Sequence, residues 1–174
     1  MAFEKMIKTA LEESRTNTRF GDTLEEIKEI QDYIKNADKV YIPNKNGIKV
    51  EVLNKVLMEY DLPTAEILKI NTNTADTSRI PALAKAYMAL DQSDADLIIA
   101  RGRLGIPGSG SLLIFIDNKG RILTAGTSPS HLIHQKTIEK AVYDEACEAL
   151  EKIGFKKKAL KWTLIQELLL KYLQ

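Results

Sequence analysis

Two short apolar runs, Leu97-Ile98-Ile99 and Leu112-Leu113-Ile114-Phe115-Ile116, bracket the stretch Ala100–Ser111, and no other feature constrains the chain as much. Both runs read as buried strands. Between them lie two arginines, four glycines and two serines. Glycine lets backbone N–H groups approach a ligand closely and reach φ > 0. Arginine offers a fixed fork of donors suited to phosphate or carboxylate. A basic, glycine-rich loop between buried strands is a candidate anion site. The same composition also describes a long connector with solvated arginines. A P-loop is excluded, because no Gly-Lys-Ser/Thr is present. A dinucleotide fingerprint is excluded too: Gly105-x-x-Gly108-x-Gly110 has the wrong spacing, and a strand follows it rather than a helix.

A chain of 174 residues with 44% hydrophobic and 28% charged content is expected to form a single α/β domain over residues 1–174. The net charge of +1 gives no reason to expect nucleic acid or a membrane as partner. No apolar run approaches a membrane span, and the start Met-Ala-Phe-Glu-Lys has no signal-peptide core. The lone cysteine, Cys147, fits a reducing cytoplasm. Its neighbours Tyr143, Ala146 and Leu150 at helical spacing point to core packing. No Cys/His cluster is available for zinc.

Along the chain, residues 2–14 and 22–36 read as amphipathic helices, the second with Asp22 or Thr23 as N-cap. Val40-Tyr41-Ile42 is a predicted strand, followed by the polar loop Pro43–Gly47 and a helix from Ile48 to Tyr60, which is half of a βαβ unit. Ligands of open α/β sheets bind at the carboxyl ends of strands. Asn44, Lys45 and Asn46 stand there, at a helix N-terminus that favours anions; an Asn/Gly turn without a ligand is the simpler explanation of them. A second strand is expected at Glu66–Ile70, then the polar loop Asn71–Ser78 and a helix from Arg79 to Leu90. Leu97–Ala100 is the third strand. Asp117-Asn118-Lys119-Gly120 is a hairpin turn joining Leu112–Ile116 to Arg121–Ala125. The polar segment Gly126–Lys136 carries both histidines, and a helix runs from Thr137 to Ile153. A last helix, Thr163–Leu173, has a wide apolar face suited to a core or dimer contact. Within 97–136, Arg101, Arg103, Lys119, Arg121 and Lys136 stand against Asp117 alone, so the segment carries five positive charges and one negative. That favours an anionic ligand such as a nucleotide.

The segment Ile42–Val50 resembles, loosely, the triphosphate-gripping motif of inosine triphosphate pyrophosphatases. A more specific resemblance spans nearly the whole chain. Arg101-Gly102-Arg103-Leu104-Gly105-Ile106-Pro107-Gly108-Ser109-Gly110-Ser111, Lys119-Gly120-Arg121-Ile122-Leu123-Thr124 and Ser128-Pro129-Ser130 resemble the HcgB family. These are guanylyltransferases of iron-guanylylpyridinol (FeGP) cofactor biosynthesis in hydrogenotrophic methanogens. The resemblance implies an inosine triphosphate pyrophosphatase-like mixed sheet flanked by helices. It also implies a homodimer, and transfer of GMP from GTP to the hydroxyl of a pyridinol precursor with release of pyrophosphate.

On that resemblance, Arg101 and Arg103 neutralise phosphate oxygens, and Lys45 holds the leaving pyrophosphate. Backbone N–H groups of Gly105, Gly108, Ser109, Gly110 and Ser111 cradle the phosphates. Asn44, Asn46, Asn73, Thr74, Thr77, Ser128, Ser130 and His131 contact nucleotide or acceptor, and His134 assists proton transfer. Mg²⁺ is expected to arrive with GTP, with Asp76 the one carboxylate placed to touch it. Two other readings use the same loops: a house-cleaning nucleoside triphosphate pyrophosphatase, and a non-catalytic nucleotide-binding protein.

Overall fold

Alternation within the first apolar run decides the architecture. Leu97 and Ile99 belong to one buried cluster, Ile98 and Ala100 to a second, so this strand is covered on both faces. The computed structural model describes residues 3–158. It contains a sheet of β1 (Val40–Ile42), β2 (Glu66–Ile67), β3 (Leu97–Arg103), β4 (Ser111–Asp117) and β5 (Ile122–Ser128) in the order β2-β1-β3-β4-β5. β2, β1 and β3 run parallel, and β3, β4 and β5 are antiparallel neighbours. The result is a mixed α/β sheet flanked by helices, as expected.

The helices are α1 (Glu4–Arg15), α2 (Leu24–Lys35), α3 (Gly47–Glu59), α4 (Pro81–Leu90), the single turn α5 (His131–His134) and α6 (Ile138–Lys152), with a 3₁₀ segment at Asn73–Thr77. Local chemistry sets their starts. Thr23 and Glu26 form a reciprocal capping box on α2. Asn46 and Thr137 cap α3 and α6, and Pro81 opens α4. One face of the sheet packs Leu97, Ile99, Leu113 and Phe115 against Ile34, Leu53, Val56, Val142 and Leu150 of α2, α3 and α6. The other packs Ile98, Ala100, Ile114 and Ile116 against Ala82, Ala86 and Ala89 of α4. Cys147 is buried on α6, as its spacing implies. None of the described helices is long and apolar enough to cross a membrane.

Several boundaries differ from expectation, each for a local reason. The second strand stops at Ile67, because Leu68 N–H bonds back to the Ile42 carbonyl and Ile70 N–H turns onto Leu68. The helix expected from Arg79 starts at Pro81. β3 and β5 run three residues beyond the expected ends, so Arg101, Arg103 and Ser128 are strand residues rather than loop residues. Antiparallel pairing carries them outward: Arg101 stands opposite Leu113 and Arg103 opposite Ser111. The connecting turn is only 104–110. The expected last helix, Thr163–Leu173, lies outside the described residues.

Two helices reach the sheet through glycines. A Cβ on Gly102 would stand 2.8 Å from Ala82 N at the start of α4. A Cβ on Gly126 would stand 1.9 Å from the Glu145 carbonyl oxygen, so only glycine lets α6 lie this close to β5. We expect Gly126→Ala to push α6 outward and to destabilise the fold by about 2 kcal/mol or more. Thermal melting of the variant checks it; an unchanged midpoint would show that α6 does not need this approach.

Candidate active site

The carboxyl ends of the parallel strands β1, β2 and β3 lie at the same end of the sheet as the start of β4 and the end of β5. Two cavities open there. The smaller, about 180 Å³, is lined by Pro43, Asn44, Lys45, Lys49, Ile70, Thr72, Asn73, Lys85 and Arg101. The larger, about 350 Å³, is lined by Arg101, Arg103, Gly108, Gly110, Ser111, Pro129, Ser130, His131, His134, Lys136, Thr137, Ile138 and Ala141. Arg101 stands in the wall of both.

Arg101 is held from behind. Alternation puts it on the face of β3 that carries Leu97 and Ile99, beneath α6. There Nε donates to Glu145 Oε2 at 2.6 Å, and Nη2 donates to Glu145 Oε1 at 3.0 Å and to Ser111 Oγ at 2.8 Å. Ser111 Oγ also bonds the Glu145 carboxylate. Glu145 is fully buried. The two-point geometry is the strong form of an Arg–carboxylate contact. Arg101 is therefore neutralised by a partner, and Nη1 is the edge that no described residue holds. Arg103 Nη2 reaches the Asp76 carbonyl at 2.5 Å, and its Nε the Gly105 carbonyl at 3.4 Å, so among the described residues its charge is paired with no carboxylate.

The positive charge of the smaller cavity comes chiefly from lysines. Lys49 is in the first turn of α3, where the helix dipole disfavours a cation and favours the anion beside it. Burial, and then Arg101 and Lys85, hold its ammonium below the ordinary lysine range. Lys85, from α4, pairs with Asp76 Oδ1 at 3.2 Å. Asp76, the expected metal contact, is thus engaged by a lysine, and its carbonyl by Arg103. No group of three or more His, Cys, Asp or Glu gathers around a metal-sized space among the described residues.

The other expected site residues divide by what they touch. Lys45 and Asn73 line the smaller cavity; Gly108, Gly110, Ser111, Ser130, His131 and His134 line the larger. Asn44 also lines the smaller cavity, but its Oδ1 accepts Asn46 N–H, while Asn46 Oδ1 caps Ile48 N–H. Thr77 turns onto the Thr74 carbonyl and Thr74 onto Met88 Sδ. Ser109 accepts Gly105 N–H, and Ser128 is buried in β5. His134 Nδ1 accepts the Lys136 N–H at 2.8 Å. A nitrogen that accepts carries no proton, so neutral His134 presents Nε2–H to its surroundings, a donor rather than a base. Lys119 and Arg121 sit at the other end of β4, where Arg121 pairs with buried Asp117 and Lys119 with Glu4, so they add nothing to the cavities.

A family model described as FeGP cofactor biosynthesis protein HcgB, guanylyltransferase, matches residues 3–155. The chain belongs to the HcgB family. The matched span takes in both cavities and all of the residues that line them. The HcgB chain is accordingly a nucleotidyltransferase, a guanylyltransferase of FeGP cofactor biosynthesis. Lys49, Thr72, Lys85 and Glu145 are not expected from sequence, and Lys136 enters only through the charge count over 97–136. Signals for two of them exist: Lys85 is the one charge in PALAKAYMAL, and Glu145 interrupts the apolar stripe Ala141, Val142, Ala146, Ala149.

The sequence alone suggests that Arg101→Ala and Arg103→Ala both spare the fold, but the geometry separates them. Losing Arg101 strands a buried carboxylate, at a cost of about 3–5 kcal/mol. Losing Arg103 frees two backbone carbonyls, and its stability is expected within about 1 kcal/mol of the parent. Denaturant melts of the two variants measure this, and equal midpoints would show that Glu145 does not depend on Arg101.

Lys49 gives a pH signature. Its pKa in the free protein is lowered, and a bound polyphosphate favours the ammonium and raises it again. Binding therefore takes up a proton at any pH between those two values. Affinity for inorganic tripolyphosphate is expected to weaken as pH rises through the depressed value, below the ordinary lysine pKa of about 10.4. Lys49→Arg stays charged and should lose that phase. Calorimetric titration across alkaline pH checks this, and identical profiles for the two proteins would remove Lys49 from the anion site.

Proposed function

We propose that this HcgB enzyme transfers GMP from GTP to the hydroxyl of a pyridinol, releasing pyrophosphate. The observation that carries the reading is the shared wall: Arg101 lines a small cationic cavity on one side and a larger, partly apolar one on the other. In this reading the β- and γ-phosphates occupy the smaller cavity among Lys45, Lys49 and Lys85. The flat acceptor ring occupies the larger one, over Pro129, Ile138 and Ala141. The α-phosphorus then stands near Arg101, between the two.

The step is an in-line displacement. The pyridinol hydroxyl gives up its proton to solvent, and its oxygen forms a bond to the α-phosphorus as the bond to the bridging oxygen of pyrophosphate breaks. The lysines stabilise the charge that builds on the leaving group, and Arg101 Nη1 and Arg103 take the non-bridging oxygens. His134 Nε2–H serves as a further donor. The substrate is read as Mg²⁺-GTP, with the ion held mainly by phosphate oxygens; Asp76 joins it only by releasing Lys85.

Donors neutralise a triphosphate, whereas activating water at neutral pH normally calls for a positioned base or a metal-bound hydroxide. Pyrophosphate release from GTP in magnesium is expected to run at least about tenfold faster with a pyridinol present, a difference of about 1.4 kcal/mol in barrier. Equal rates with and without acceptor would overturn the transfer reading in favour of hydrolysis, and no release in either case would favour nucleotide binding without turnover.

A further inference from the structure

Glu145 does more at this site than stabilise the fold. A buried ion pair is a weak stabiliser compared with apolar residues of the same volume. The stripe of Ala141, Val142, Ala146 and Ala149 around Glu145 would accept such a residue. Instead the carboxylate lies against the back of the cavity wall. It fixes two groups whose other sides face the cavities: the Arg101 guanidinium and the Ser111 hydroxyl. Three elements converge there. α6 brings Glu145, seated by its close approach to Gly126; β3 brings Arg101; β4 brings Ser111.

The fork contact also has an electrostatic consequence. Arg101 and Glu145 together carry no net charge, so the attraction of the smaller cavity for polyphosphate is left to its lysines. Arg101 supplies an oriented donor rather than a free cation. A guanidinium held on two edges keeps its plane fixed, which is worth more to an aligned transition state than to ground-state binding.

Resting on the transfer reading above, we infer that Glu145 is a positioning residue: with Ser111 it restrains Arg101 from closing on the bound phosphates and keeps it aligned between them and the acceptor. This predicts changes of opposite sign. When the restraint is removed, Arg101 is free to move onto the anion, so polyphosphate binds more tightly while transfer slows. A residue with a purely structural role would weaken both.

The test uses Glu145→Gln and Ser111→Ala in the full chain, with thermal melting to confirm folding. Calorimetry with inorganic tripolyphosphate is expected to give a dissociation constant lower by at least about threefold for Glu145→Gln and about twofold for Ser111→Ala. Turnover with Mg²⁺-GTP and pyridinol is expected to give a kcat lower by at least about tenfold for Glu145→Gln. Should Glu145→Gln not fold, Ser111→Ala keeps the ion pair and carries both measurements. Affinity that is unchanged or weaker in the folded variant overturns the positioning role, and so does an unchanged kcat. Failure of the transfer reading would show separately, as absence of GMP transfer by the unsubstituted protein. The tripolyphosphate measurement then still decides the role of Glu145.

Discussion

A carboxylate with no exposure to water has to be compensated where it stands, and Glu145 is compensated by Arg101. Much of the geometry serves that contact. β3 has to continue past its apolar residues so that Arg101 reaches the level of Glu145. The pairing of Arg103 with Ser111 has to place the Ser111 hydroxyl diagonally from Arg101. α6 has to lie against β5 with no side chain at position 126, which Gly126 permits. Each requirement belongs to a different element, so the pair ties the antiparallel half of the sheet to the helix above it. The same contact forms the wall between the two cavities.

The sheet also keeps two charged systems apart. Arg101 and Arg103 leave β3 at one end; Asp117, Arg121, Lys119 and Glu4 gather at the other. Asp117 pairs with Leu97, four residues along β3 from Arg101 and six from Arg103, or about 13 and 20 Å, against a screening length of about 8 Å at physiological salt. Asp117 spends its carboxylate on the hairpin, accepting from Lys119 N–H, Arg121 N–H and Arg121 Nε. The field at the cavities is therefore set locally, by Lys45, Lys49, Lys85 and Arg103, and a net charge of +1 says little about it.

Most of the fold could be read from periodicity. The capped helices, the β-α-β start, the apolar central strands and the Asp-Asn-Lys-Gly turn all announce themselves locally. The site was half legible. Lys45, Asn73, Arg101, Arg103 and the 108–111 glycine/serine run were readable because they stand beside a strand that can be recognised. Lys49, Lys85 and Glu145 were not, because a lone charge on a helix reads as solvated until the packing shows which way that face points. Counting charge along 97–136 misled for the same reason. Residues that are close in sequence on a hairpin can lie at opposite ends of it, so Lys119 and Arg121 were counted with a cavity they do not line. In the polar loops, Asn46, Thr77 and Ser109 satisfy backbone groups of their own turns and Thr74 turns onto Met88, contacts that residue type alone does not announce.

Among the described residues, the polar side chains that line the two cavities are cations, hydroxyls, amides and the imidazoles of His131 and His134, the latter offering Nε2–H; no carboxylate lines either cavity, and Glu145 points into Arg101. Such a lining stabilises negative charge and removes protons poorly. A phenol-like hydroxyl, with a pKa near 10, ionises far more readily than water. The more of the proton's departure the nucleophile manages itself, the less the protein needs a base. A guanylyltransferase whose acceptor is an aromatic hydroxyl can therefore work with a donor-rich lining, whereas a hydrolase would have to draw its base from His131 or from a metal-bound hydroxide.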